Sequence, residues 1–215
     1  MEKWIEAHLT LPLNVSRREE MENSLSHLIG FVLGLIGLLY ILSFPASTTR
    51  LGMIIFAISN IVMYGASSLY HALNVGTAKR LLRVVDHTSI YLLIAGSYTP
   101  ILMHVGTPYA IRFTIVMWAI AALGIFIMAL FWGRLKAVHL AFYLLMGWAV
   151  VFTKGEILPN IPHCLFRYIL LGGITYSLGV IFYANRKIPK NHLIWHIFVL
   201  AASTFFFLGY LNCLL

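Results

Sequence analysis

Charge is what this chain of 215 residues has least of: Asp and Glu number 7, Lys and Arg 15, and 10% of positions are charged against 60% hydrophobic. A soluble globular domain carries about 25% charged residues, so that class is excluded, and a mean hydropathy of +0.88 agrees. Polar stretches are equally scarce, leaving no room for a second, soluble domain. Nor is there a basic leader with a small-residue cleavage site: the first 23 residues set Glu2, Glu6, Glu19, Glu20 and Glu22 beside Lys3, Arg17 and Arg18. The first apolar run is therefore expected to be retained. Low-complexity segments and obvious internal repeats are missing as well. The two cysteines, Cys164 and Cys213, lack metal-ligand spacing.

What fills the sequence is apolar runs. A helix needs about 20 residues to cross the hydrocarbon layer, and seven candidates occur, roughly at 24–43, 51–71, 86–104, 110–131, 137–153, 164–184 and 192–213. The expected architecture is an all-α integral membrane protein, a seven-transmembrane-helix bundle over residues 24–215 behind a polar N-terminus of residues 1–23. Lys and Arg are spread over the loops rather than gathered on one face, so they report orientation and not a nucleic-acid partner. With the N-terminus inside, eleven fall on inner segments, and four, Arg50, Arg112, Lys154 and Arg167, on outer ones. The positive-inside rule then places the N-terminus in the cytoplasm and the C-terminus outside. On that topology both cysteines sit at outer helix ends. This permits a disulfide, although two inert cysteines on apolar faces are the favoured reading. Glycines at Gly34, Gly37, Gly172 and Gly173 suggest close helix packing.

Ionisable residues inside spans are costly and mark functional positions. Between Glu22 and Glu156 the one carboxylate is Asp86, at the start of the third span. The seventh span starts at the same face with NHLIWHIFVL, placing His192 and His196 at i, i+4 on one helical side. The second span ends there in SSLYHAL, with Ser67 one turn from His71. Three neutral imidazoles with an open fourth position make a catalytic-type zinc shell, and a carboxylate such as Asp86 could hold or deprotonate a water there. Each residue also has a plainer reading. Asp86 can pair with Arg83 or sit near a helix N-terminus, Ser67 can back-bond to its own helix, and His27 and His139 suit headgroup or packing roles. His8, His87, His104 and His163 read as loop or surface residues. Trp118, Trp132 and Trp148 suit either interfacial anchoring or packing.

The stretches SSLYHAL (67–73), VDHTSIYLLIAGSYTP (85–100), YLLMGW (143–148), GGITYSLGVIFY (172–183) and NHLIWHIFVL (191–200), in that order, resemble the hemolysin III family of bacterial membrane proteins, within the progestin and adipoQ receptor superfamily. The resemblance covers essentially the whole chain. It implies a seven-helix bundle with a cytoplasmic N-terminus and zinc held by His71, His192 and His196. It gives Asp86 and Ser67 the catalytic roles of positioning the water at the metal or stabilising a tetrahedral intermediate. One departure is visible: relatives often read G-S-x-x-H-F where this chain has Ala202, Ser203 and then Phe206. The resemblance points to a multi-pass protein of the cell inner membrane that works on membrane lipids in lipid homeostasis, with zinc-dependent hydrolysis of a lipid amide or ester as mechanism. The competing class is a non-catalytic receptor or sensor with a structural zinc. A proton-coupled transporter fits less well, because Glu156 is the outer half's one acid.

Overall fold

The computed structural model describes residues 2–12, 15–153 and 155–215; Lys154, counted above among the outer cations, lies outside them. Among the described residues there are eight α-helices and no strands: α1 Glu2–His8, α2 Arg17–Leu42, α3 Thr48–Ala72, α4 Thr77–Val105, α5 Pro108–Leu130, α6 Lys136–Gly147, α7 His163–Ala184 and α8 Asn191–Leu214. Six of them, α2 to α5, α7 and α8, are long and apolar enough to cross a membrane. Helix starts are written locally: the hydroxyls of Ser16, Ser47 and Thr107 accept from the backbone N–H groups of Glu19, Arg50 and Ala110. α4 stops at Gly106, whose φ of 65° is the left-handed conformation glycine tolerates best.

The remaining expected span, 137–153, takes a different form. Its α-helical part, α6, has 12 residues, about 18 Å at 1.5 Å per residue. The chain continues as the 3₁₀ turns Ala149–Phe152 and Leu158–Asn160. Tyr98 of α4 explains the break. Its hydroxyl meets the carbonyls of Met146 and Gly147 at 2.8 and 2.9 Å and accepts from the Val150 N–H at 3.1 Å. Backbone groups left over where α6 ends thus find a partner without water, as an apolar layer requires.

The helices form a ring. α2 packs on α3, α3 on α4, α4 on α5, α7 on α8, and α8 closes back on α2. α6 lies against α4 and α5, and its C-terminal Trp148 reaches α7, donating to Ser177 Oγ at 3.0 Å. Packing is closest at glycines: a Cβ on Gly172 would come within 2.6 Å of the Phe206 ring. The outward faces of α2, α5 and α7 are apolar and exposed, with Leu33, Leu123 and Ile181 each more than half accessible. In a chain this poor in charge, such faces suit lipid.

Cys164 and Cys213 form a disulfide joining the start of α7 to the end of α8. The favoured reading of two separate cysteines is corrected: antiparallel packing of α7 and α8 brings Cα atoms 49 residues apart to 6.0 Å, within disulfide reach.

Candidate metal centre

His71 leaves the last turn of α3, while His192 and His196 leave the first turns of α8. His192 Nε2 lies 3.2 Å from His71 Nε2 and 3.1 Å from His196 Nε2. The far nitrogens of the outer two rings have their own partners. His71 Nδ1 is 2.7 Å from the Glu20 carboxylate, and His196 Nδ1 is 3.2 Å from the Asn23 carbonyl and 3.0 Å from Ser26 Oγ. A carboxylate and a carbonyl can only accept, so each Nδ1 carries a proton and, in the neutral ring, each Nε2 turns a lone pair inward. His192 could donate one proton to one of them. Three imidazoles held this way suit a cation, and their ligand atoms lie within 4.8 Å of one another. The buried His71, His192 and His196 group could therefore hold a metal ion, and an all-imidazole donor set suits zinc among others.

The supports extend outward. Glu20 also pairs with Lys79 at 3.1 Å, and Lys79 donates to the carbonyls of Tyr70 and Leu73 at 3.1 Å each, closing the end of α3. A carboxylate behind a ligating imidazole fixes its tautomer and raises its basicity. Through Glu20, Lys79 and the three rings, α2, α3, α4 and α8 meet at one point.

Asp86 faces the same cavity, but its plainer reading changes. It does not pair with Arg83, which donates to the Thr10 carbonyl and lies over the Trp132 ring. Asp86 Oδ2 sits 3.2 Å from His87 Nδ1, so His87, read from sequence as a loop or surface residue, belongs to the cavity wall. Ser67 is fully buried and faces the Asp86 carboxyl, and its hydroxyl back-bonds to nothing. The cavity, about 930 Å³, is lined by His71, His192, His196, Asp86 and His87, and runs inward to Ile101, Ile169 and Phe206. Its size suits a small amphiphile.

Residues 15–207 match the model of the family described as Haemolysin-III related. The chain belongs to that family. Among its relatives, it is 34% identical over 196 residues to the Hemolysin-3 homolog of Bacillus subtilis (strain 168), covering 88% of this chain and 92% of that protein. It is 31% identical to Hemolysin-3 of Bacillus cereus, covering 88% and 89%. A human protein, Monocyte to macrophage differentiation factor, is 34% identical over 131 residues, 59% of this chain and 53% of its own. That similarity agrees with the wider receptor superfamily. No solved structure matches this chain.

Sequence reasoning about this haemolysin-III family member missed Glu20 and Asn23 on α2, while His27 takes the packing role expected. The three stand at i, i+3 and i+7, one helical face, and all three meet the centre. His27 stacks on His196 with ring centroids 3.5 Å apart, and neither of its ring nitrogens has a partner. The signal was the E-x-x-N-x-x-x-H spacing. It was masked because Glu20 and Asn23 fell within the polar N-terminus, whereas α2 begins at Arg17. His139 contacts Tyr91 OH at 2.7 Å, the packing role expected. Trp118 and Trp148 donate to Thr99 and Ser177, so packing describes them too.

Proposed function

We propose that this multi-pass haemolysin-III family protein sits in the cell inner membrane with its N-terminus in the cytoplasm and hydrolyses a lipid amide or ester, serving membrane lipid homeostasis. The observation that carries this reading is the convergence of three imidazole nitrogens on the wall of a cavity of about 930 Å³ with apolar lining beyond them. His71, His192 and His196 would hold zinc through Nε2. When bound, zinc supplies Lewis acidity that activates water and polarises a carbonyl. Asp86 accepts the proton of the attacking water on its carboxylate. Ser67, free of any bond to its own helix and buried behind the Asp86 carboxyl, donates a hydrogen bond that orients that carboxylate. Glu20 and Asn23 keep two imidazoles in the tautomer that binds cations. The apolar inner cavity holds the acyl chain and excludes water.

A second reading, a sensor with a structural metal, draws support from the four helices that meet at the centre. One experiment separates them. Zinc-replete wild-type protein in proteoliposomes of total lipid extract should release fatty acid, and Asp86→Asn and Ser67→Ala should each slow release by about 100-fold while keeping zinc. Full zinc with no product from any lipid extract would leave the sensor.

A further inference from the structure

The cavity mouth carries charge that the hydrolytic machinery does not use. Arg83 and Arg186 are the two Lys or Arg side chains that line it, together with Tyr183. Among the described residues no carboxylate pairs with either guanidinium. Of the acids that line the cavity, Glu20 pairs with His71 and Lys79 and Asp86 with His87, while Glu19 pairs with neither guanidinium. Arg83 meets a neutral carbonyl and an aromatic face, and its buried Nε has no partner. Arg186 is exposed where the cavity reaches the surface. Inward of these two charges the walls turn apolar, through Leu93, Ile94 and Ile101.

Two unneutralised guanidinium groups at the polar end of an apolar cavity match a phosphate joined to hydrocarbon, because the guanidinium fork bonds phosphate oxygens in pairs. We propose that Arg83 and Arg186 form an anion subsite that takes the phosphate of an anionic phospholipid. The proposal rests on the reading of this cavity as a lipid site and narrows its ligand to lipids with a net negative head.

The test is a native mass spectrometry titration of the full-length protein in nonionic detergent. The probes are dioleoylphosphatidylglycerol, dioleoylphosphatidylcholine with the same chains, and inorganic phosphate. Wild type should bind the anionic lipid at least about tenfold more tightly than the zwitterionic one. R83Q/R186Q should bring the two within about twofold, and R186Q alone, at an exposed position, should lose about threefold of the preference. R134Q/K187Q, which removes two exposed cations outside the cavity, should change nothing. An unchanged preference in R83Q/R186Q, or an equal loss in R134Q/K187Q, overturns the subsite. Inorganic phosphate that binds wild type but not R83Q/R186Q, with no lipid preference, keeps the anion site and overturns the lipid. No turnover is involved, so a failed hydrolysis screen with the preference intact counts against the hydrolase and not against this subsite.

Discussion

α8 begins and ends in different worlds. Its first turns carry His192 and His196 into a cluster with His27, His71, Glu20 and Asp86 close by. Its last turn carries Cys213 into a disulfide beside a dry cluster that includes Ile41, Ile157, Leu165 and Tyr210. Costly ionisable groups are confined to one end, while the other end holds α7 and α8 covalently and by packing. The contrast teaches that rigidity at the disulfide end leaves the histidine end free to be polar, and each end can be damaged separately.

The largest expected effect comes from the middle histidine. His192→Ala removes the ring that both neighbours face, and should take zinc from one per chain to none by elemental mass spectrometry, with the helical circular dichroism unchanged. Zinc retained in that variant would mean the centre is elsewhere. Glu20→Gln keeps the shape but weakens the acceptor behind His71, and should cost about 10- to 100-fold in zinc affinity in a chelator competition. An unaltered affinity would show that Lys79, not His71, is the partner Glu20 serves. At the far end, Cys164→Ser should lower stability by about 2–4 kcal/mol, read as a lower thermal midpoint, with zinc content untouched. Loss of zinc there would erase the separation of the two ends. The smallest change is at His27, where His27→Phe keeps the stack and deletes two nitrogens that have no partner. Zinc affinity should stay within about threefold, and a larger drop would make His27 a ligand.

The parts legible in sequence share a physical reason. His71 with Ser67, and His192 with His196, are pairs whose i, i+4 spacing fixes a common face, and apolar runs near 20 residues report six helices directly. Glu20 and Asn23 were hidden because hydropathy dates the start of α2 from its apolar run, while the Ser16 hydroxyl starts the helix before it. The Cys164–Cys213 bond depends on how α7 and α8 pack, which two isolated cysteines do not reveal. Asp86 was found, but its partner was misjudged: Arg83 stands one turn away, yet His87 is the group that approaches its carboxylate.

The end of α6 is also beyond local reading. Residues 137–153 stay apolar past Gly147, and a helix terminus is ordinarily decided by residues within one turn of it. Here the stop is answered by the Tyr98 hydroxyl, 48 residues upstream. The two helices are geared together. A slide of α4 along its axis would carry Tyr98 off the carbonyls of Met146 and Gly147, and α6 would have to lengthen, shorten or follow. Because α4 also carries Asp86, the same slide would register at the histidine cluster, so the length of α6 and the position of the carboxylate are settings of one part.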